Sequence, residues 1–505
     1  MDAYGGGMHL QGTFYILRKR CKVTLTDLGI SWEPEGTPDL CHHVSASELV
    51  GCWVCPKASL GCCVYSEDSS DNRENRNSSR PSSVGVGGCR HSTGGAAGVG
   101  EGLSLEYCQR GSGHALWKLR QVALLHAAQE VVLAWHHAIW ALINGLSQRP
   151  RKLLVIINPF GGKKKAARIY RKKVEPIFRR AAIQTHVIQT THRGHGREIV
   201  EESSATVGID GVVVVGGDGL VNEVVTGLLS HASQLAGIDA DNPNANLPST
   251  AIRVGIIPGG STDATCHGTH GTSDVVTAAL HIVMGDSRNV DVAAVHSEGR
   301  LQRVATTMCS YGYFGDLLKT SDRWRKLGPS RYLLAGLVQI MKNKTYEGQV
   351  RVVTPEQSLA QPDDKNNCTE HCTVCDTAAK DNPKPGQCLQ YTGRWSVVTG
   401  AVASCACRLT PKGVSPAAHL GDGCADLLMV EGGSRFRMIS YLYKTSTGNA
   451  FGLNHVRVQR VKELQFIPKT TTSNSAWNCD GEQMEEPHLF LKNKCSCEKL
   501  FMSRI

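Results

Sequence analysis

The chain has 505 residues, 41% of them hydrophobic, with 55 Lys and Arg against 45 Asp and Glu for a net charge of +10. That length predicts two or three domains. The charge favours anionic partners, namely nucleotide phosphates, anionic lipid surfaces or nucleic acid, but aromatics at only 6% leave few stacking platforms and argue against a nucleic-acid binder.

The start, Met1 to Gly6, lacks the basic-then-apolar run of a signal peptide. The longest apolar region, Val122 to Ile143, is broken by His126, Gln129, Glu130, His136 and His137, and is too polar to span a bilayer. The expectation is a cytoplasmic protein that associates peripherally with internal membranes or the plasma membrane. Twenty cysteines without a secretory signal fit a reducing compartment, as small buried side chains with room for a metal cluster among them.

Residues 1–146 begin with strand-like pieces, Thr13 to Leu17 and Cys21 to Leu25, and Gly29 to Trp32 follows a turn. Residues 66–102 are rich in Ser, Gly, Asn and charge, and read as a disordered insertion. Ala128 to Ile143 reads as a helix with Val132, Trp135, Ile139 and Leu142 on one face. Short strands closed by one Trp-bearing helix resemble a pleckstrin-homology domain. In such a fold Arg18, Lys19, Arg20 and Lys22, between the first two strands, would meet anionic lipid headgroups; the alternative is a solvated basic loop.

Residues 150–287 alternate strand and helix. Lys152 to Ile157, Thr185 to Ile188, Gly211 to Val215 and Ala251 to Pro258 are the strands; Ala166 to Ala182 and Arg197 to Ala205 are helices, and a helix starts near Leu220. That alternation implies a parallel sheet. From residue 288 to 505 the texture turns to strands with few helices between them: Val290 to Val295, Arg303 to Met308, Gly348 to Val353, Trp395 to Thr399, Val456 to Phe466 and Leu489 to Leu491. This predicts an antiparallel β-sandwich, with a polar, cysteine-bearing insertion at 354–390.

Three turns at strand ends carry chemistry. Asn158-Pro159-Phe160-Gly161-Gly162-Lys163 follows the first α/β strand and opens a basic helix, though it lacks the spacing of a Walker loop. Gly216-Gly217-Asp218-Gly219 follows four valines, and Gly259-Gly260-Ser261-Thr262-Asp263 follows the last strand. All three fall at the C-terminal ends of parallel strands, where α/β sheets bind ligands. Glycines there let N–H groups approach phosphate oxygens. An Asp in such a place is repelled by phosphate unless it binds a metal or takes a proton, so Asp218 points to phosphoryl transfer.

Asn-Pro-x-Gly-Gly-Lys, Gly-Gly-Asp-Gly-x-x-x-Glu-Val and Pro-x-Gly-Ser-Thr-Asp, in this order, resemble the lipid kinase family of diacylglycerol and sphingosine kinases over roughly Lys152 to Glu482. Three further stretches, 368–375, 415–423 and 475–482, resemble its ceramide kinase branch, whose members also carry an N-terminal pleckstrin-homology-type domain. The resemblance implies α/β plus all-β architecture, with a Rossmann-like nucleotide domain and a β-sandwich enclosing ATP. It implies transfer of the γ-phosphate to the primary hydroxyl of ceramide, giving ceramide 1-phosphate. Sphingosine or diacylglycerol kinase activity, or a scaffold that has lost catalysis, are the alternatives. The intact Asp218, Glu223, Asp480 and Glu482 weigh against the scaffold.

By the same resemblance Asn158, Thr190, Gly216, Gly217 and Glu223 surround ATP, with Pro159, Phe160, Gly161, Gly162, Lys163, Gly219, Gly259, Ser261 and Thr262 completing the loops. Arg325 and Arg331 reach the phosphates. Phe160 stands where sphingosine kinases often have a basic residue. Asp218 matches the proposed general base. Asp480, Gly481 and Glu482 match the acidic segment near the phosphates, with Asp480 and Glu482 helping to hold Mg²⁺. Asp316 is the candidate for the lipid head, and Leu318 replaces a second acid found in sphingosine kinases, which favours a neutral amide over an ammonium. Cys368, Cys372 and Cys375 have the spacing of a structural Zn²⁺ site with His371 or Cys388 as fourth ligand; free or redox-sensitive thiols are the alternative.

Overall fold

The computed structural model describes residues 8–37, 40–56, 101–111, 116–328, 330–357, 362, 368–369, 371–380, 382–407, 410–448, 450–469, 475–486 and 488–501. The chain divides into two compact units, Met1–Arg110 with Trp117–Arg149, and Gly111–Leu116 with Pro150–Ile505.

The first unit is an antiparallel sheet of seven strands: β1 (His9–Ile16), β2 (Lys19–Thr26), β3 (Gly29–Pro34), β4 (His42–Ser45), β5 (Leu49–Pro56), β6 (Glu101–Arg110) and β7 (Trp117–Leu125), in the order β4-β3-β2-β1-β7-β6-β5. Cys21, Val23 and Leu25 of β2 alternate inward, the period-two pattern of a half-buried strand. Helix α1 (Gln129–Asn144) closes the unit. It buries Val132, Trp135, Ile139 and Leu142 as its periodicity predicts, with the Trp135 ring edge-on to Phe14 at 5.0 Å. Leu17 and Arg18 join β1 to β2 with φ of 49° and 64°. Two successive left-handed residues make a tight hairpin turn, so Arg18 sits on a two-residue turn rather than an open loop, and Lys19 already belongs to β2. The expected insertion at 66–102 lies outside the described residues except for its last two, Glu101 and Gly102, which begin β6.

In the second unit, strands β8 (Lys152–Ile157), β9 (Gln184–Gln189), β10 (Gly211–Gly216) and β11 (Arg253–Pro258) are parallel, in the order β9-β8-β10-β11. Val212 to Val215 are fully buried, as a run of branched residues covered on both faces should be. The basic helix expected over 166–182 is broken: α2 (Ala166–Ile169) passes through a π turn at Tyr170–Val174 into α3 (Glu175–Arg180). Then come α4 (His195–Glu201), α5 (Ser203–Thr206), α6 (Asp218–Leu235), α7 (Ala264–His270) and α8 (Val275–Met284).

The remainder is antiparallel: β12 (Arg288–Ser297), β13 (Arg300–Ala305), β14 (Met308–Gly312), β15 (Tyr346–Pro355), β16 (Pro385–Ala401), β17 (Ala425–Glu431), β18 (Val456–Val461), β19 (Glu463–Pro468), β20 (Trp477–Cys479), β21 (Glu482–Met484) and β22 (Leu489–Leu500). Three differences from the sequence reading matter. The run 303–308 is two strands, because Thr306 and Thr307 turn their N–H groups onto the Asp480 carboxylate instead of a neighbouring strand. Helices are not few: α9 (Tyr313–Arg323), α10 (Ser330–Lys342), α11 (Thr373–Lys380) and α12 (Arg435–Thr447) intervene, with α11 and the start of β16 inside the expected insertion. The last strand is twelve residues long and pairs in parallel with β11 through Arg253 and Val254, and antiparallel with β12 and β19. The parallel and antiparallel strands therefore form one continuous 15-stranded sheet.

Candidate phosphate-binding site

The three glycine turns meet. Each leaves the C-terminal end of β8, β10 or β11, and those strands are neighbours, so their turns emerge on one edge. The Asn158 N–H donates to Val215 O at 3.0 Å, and the Gly259 N–H donates to Gly216 O at 2.9 Å. Contact between the turns is backbone on backbone. A Cβ on Gly260 would lie 2.5 Å from Gly217 Cα, and one on Gly162 (φ +54°) would lie 2.8 Å from the Gly259 and Gly260 carbonyls. Only glycine fits there, which is why all three motifs are glycine-rich. Within the first turn Asn158 Oδ1 accepts from the N–H groups of Phe160 and Gly161 at 2.9 and 3.0 Å, fixing its shape. Pro159 is half-buried, while Phe160, Lys163, Lys164 and Lys165 face solvent.

Asp218 is the first residue of the 18-residue helix α6, so its carboxylate and the helix N-terminus share the same place. It is buried and hydrogen-bonded by the third turn and the start of α7. Oδ2 accepts from Thr262 Oγ1 at 2.9 Å and the Ala264 N–H at 3.1 Å; Oδ1 accepts from the Thr265 N–H at 2.8 Å and its hydroxyl at 2.9 Å. Asp263, left-handed at φ 50°, accepts from the Gly260 N–H at 2.8 Å. Burial first, then the charge of Asp218, push its carboxyl up to about 7, against the opposing Gly260 and Gly259 N–H groups. That carboxyl stands beside Asp218 at the edge where the turns meet, and sequence reasoning gave it no role.

Glu223 and Thr190 serve the neighbouring loop. Glu223 accepts from the N–H groups of Gly194 and Gly196 at 2.9 and 3.1 Å, holding the start of α4 against α6. The Thr190 N–H donates to Ile157 O at 2.9 Å, extending β9 beside the first turn. In this structure Glu223 thus positions the loop, each of its oxygens accepting one N–H. That loop carries Arg193, which pairs with Glu482 at 2.7 Å. Glu482 in turn lies over Gly219, where a Cβ would come within 2.5 Å of its Oε1. The hairpin of β20 and β21 therefore brings its acidic segment to the N-terminus of α6.

Asp480 and Gly481 form the turn of that hairpin, with φ of 48° and 82°. The buried Asp480 carboxylate takes six donors. Oδ1 accepts from the Thr307 N–H and hydroxyl and the Met308 N–H at 2.9, 2.6 and 2.9 Å; Oδ2 accepts from the Thr306 N–H and hydroxyl and Asn222 Nδ2 at 2.7, 3.0 and 3.0 Å. A carboxylate offers about four lone-pair sites, so no oxygen of Asp480 is left for a metal in this arrangement. The expected pair of magnesium ligands separates: Asp480 pins the turn, and Glu482 lies against Gly219 at the N-terminus of α6. Asn222, one helical turn after Asp218, also donates to Val304 O at 2.6 Å and ties α6 to β13. An amide among the apolar residues that open the helix was the available signal.

Asp316 is buried near the start of α9. It accepts from Tyr346 Oη and from Ser475 Oγ at 3.0 Å. The adjoining cleft, lined by Tyr313, Asp316, Gln339, Asn343, Lys344 and Met438, holds only ≈ 10 Å³ of free volume, room for one water at most. Leu318 is buried, where an ionised acid would be costly. Arg331 faces Asp322 of α9 at 3.7 Å and donates to Tyr332 Oη at 2.8 Å, so these partners and not a glycine turn engage it. The Arg325 side chain lies outside the described ones.

Cys368, Cys372 and Cys375 do come together, and all three are buried. The expected fourth partners do not join them: His371 and Cys388 are exposed, Cys388 on β16. His419 takes that place instead, with Cys372 Sγ 3.1 Å from its Nδ1.

The diacylglycerol kinase catalytic domain matches residues 152–295, which spans all three glycine turns. Over 438 residues the chain is 36% identical to a ceramide kinase of Homo sapiens, covering 78% of this chain and 81% of that one. It is 35% identical to a ceramide kinase of Mus musculus over 77% of this chain and 81% of that one. Identity to ceramide kinase 1 of Caenorhabditis elegans is 32%, over 74% and 69%. The chain belongs to the ceramide kinase family of lipid kinases.

Proposed function

We propose that the chain transfers the γ-phosphate of ATP to the primary hydroxyl of ceramide, releasing ADP and ceramide 1-phosphate. The observation that carries this is the backbone contact of three glycine turns at the N-terminus of α6, with a carboxylate at the first helical position. Exposed N–H groups and the helix dipole suit a triphosphate. Little covalent chemistry is asked of the protein in such a transfer, so positioning and charge neutralisation do most of the work.

Asp218 is the base in this reading. Thr262 donates to Oδ2 through a hydroxyl that can rotate, so the lipid hydroxyl takes that hydroxyl's place and delivers its proton to Oδ2 as the O–P bond forms. Glu482 is the carboxylate suited to hold Mg²⁺, which neutralises phosphate charge when bound; Asp480 acts behind it, by fixing the hairpin. Arg193 and Lys163 are the cations nearest in role to the phosphates. A structural Zn²⁺ at Cys368, Cys372 and Cys375 belongs to the same reading of the chain.

Lipid delivery follows from the surface. Leu333, Leu334, Leu337 and Met341 of α10 and Phe436, Ile439 and Tyr443 of α12 are exposed. Both helices border the closed cleft at Asp316, through Gln339 and Met438. A bilayer seated on that apolar face would let the helices part and admit the ceramide head to Asp316. The sheet of β1 to β7 closed by α1 supports a pleckstrin-homology-like domain at 1–146, with Arg18 and Lys19 meeting anionic lipid. The kinase core then divides into 150–287 and 288–505, at the cytoplasmic face of internal membranes or the plasma membrane.

The test is purified chain with Mg-ATP and separate ceramide, sphingosine and diacylglycerol micelles, products identified by mass. Ceramide 1-phosphate as the dominant product is the expected result. Preference for sphingosine or diacylglycerol would replace the substrate, and no product from any lipid would return the chain to a binding role.

A further inference from the structure

We propose that Cys368, Cys372, Cys375 and His419 hold a structural zinc ion that fastens the 368–380 segment to the loop before β17. Three thiols and one imidazole, all buried, place one ligand atom each within 4.8 Å of one another. Cys368 Sγ and Cys375 Sγ are 3.6 Å apart, and Cys372 Sγ lies 3.1 Å from His419 Nδ1. Tetrahedral zinc with Zn–S of about 2.3 Å and Zn–N of about 2.0 Å sets ligand edges of about 3.5–3.8 Å. The Cys368–Cys375 edge of 3.6 Å falls in that range, and the Cys372–His419 edge of 3.1 Å is a few tenths of an ångström shorter. A disulfide needs sulfurs at about 2.05 Å, so 3.6 Å is the spacing of co-ligands and not of an oxidised pair.

Ligand chemistry selects the metal. An S₃N set in tetrahedral array suits zinc over magnesium or calcium, which take oxygen, and four ligands from the chain describe a closed structural site with no open position for catalysis. His419 was out of reach of spacing rules, since it stands 44 positions after Cys375.

The fold says what the ion would do. Cys372 and Cys375 flank and enter α11, an eight-residue helix with little apolar surface of its own. Around it the chain is held by Arg288, which donates to Thr369 O at 3.0 Å and pairs with Asp376 at 3.3 Å. His419 belongs to the loop whose Leu420 O accepts from the Asp291 N–H at 2.7 Å, and whose Asp422 pairs with Arg460 on β18. A metal joining the two segments anchors α11 to the antiparallel strands. None of the four residues belongs to a glycine turn, so the ion is separable from phosphoryl transfer.

Full-length protein purified under reducing conditions without chelator is analysed for metal by mass spectrometry. About one zinc per chain is expected, lost in Cys375→Ser and in His419→Ala and retained in His419→Cys, which restores a ligand. Because the Ser and Ala variants could fail to fold, the parent is also treated with a chelator. Zinc release with a lowered melting temperature, reversed by added zinc, is the expected outcome. Folded parent that carries no zinc and whose cysteines at 368, 372 and 375 all react with a thiol reagent would overturn the proposal, as would full zinc in His419→Ala.

Discussion

Two Asp-Gly pairs in the kinase unit, Asp218-Gly219 and Asp480-Gly481, are alike in sequence and opposite in structure. The first opens an α-helix at the edge of a parallel sheet; the second is the turn of a β-hairpin. Both carboxylates are buried. Asp218 takes four donors, two of them hydroxyls that can turn away, all from the stretch Thr262 to Thr265. Asp480 takes six, four of them fixed N–H groups or an amide, five from Thr306 to Met308 and one from Asn222 on α6. A carboxylate with half of its four donors rotatable can exchange a partner; one that four fixed donors hold keeps its place even when its two hydroxyls turn away. The difference separates a candidate base from a structural pin.

Mutation of each should break that symmetry. Asp218→Asn keeps the shape but cannot take a proton, so turnover should fall by about 100- to 10,000-fold with ATP affinity mostly retained, measured by steady-state kinetics beside nucleotide titration. Full turnover in that variant would remove Asp218 from the base role. Asp480→Ala strands six buried donors. It should cost about 3–5 kcal/mol of stability, read from denaturant midpoints, and an unchanged midpoint would show that the network is not holding the hairpin.

Smaller effects sharpen the picture. Gly260→Ala puts a methyl against Gly217 backbone, and should weaken ATP binding about tenfold or more for a strain of about 1–3 kcal/mol. Glu482→Gln, which releases Arg193 and weakens any hold on magnesium, should raise the KM for Mg-ATP several-fold while leaving stability nearly unchanged, because Arg193 is exposed and Glu482 only half-buried. The last is a pH effect. Asp263, pushed up to about 7 from a usual 3.8, stays protonated in the folded chain while the unfolded chain has already lost that proton. Stability should therefore fall as pH rises from about 4 to 7, with a slope of at most about 1.4 kcal/mol per pH unit from this group. Asp263→Asn should flatten that part of the profile in denaturant titrations at several pH values.

The same contrast explains what the sequence disclosed. The parallel strands were legible because Val212 to Val215 and Leu153 to Ile157 are buried on both faces, and the turns after them must be glycine to touch one another. Helix α1 was legible because its buried face repeats at helical spacing. The partners of Asp480 were not, since Thr306, Thr307 and Asn222 come within reach only when β14, β20 and α6 are assembled. The break at Thr306 hid inside a run of strand formers for the same reason. Helices α10 and α12 were missed because apolar residues lie on both their exposed and their buried sides, Phe436 and Ile439 outside and Met438 and Tyr441 inside in α12, so no single apolar stripe marks them. His419 showed no local sign, and its role appears only where two segments far apart in the chain close on the cysteines.

The most direct test is hydrogen exchange of the full chain with and without a non-hydrolysable Mg-ATP analogue. The account predicts simultaneous protection of peptides covering 158–165, 216–222 and 259–265, with little change over 368–380. Protection confined to one of these turns, or falling elsewhere in the kinase unit, would contradict a triphosphate held jointly by all three.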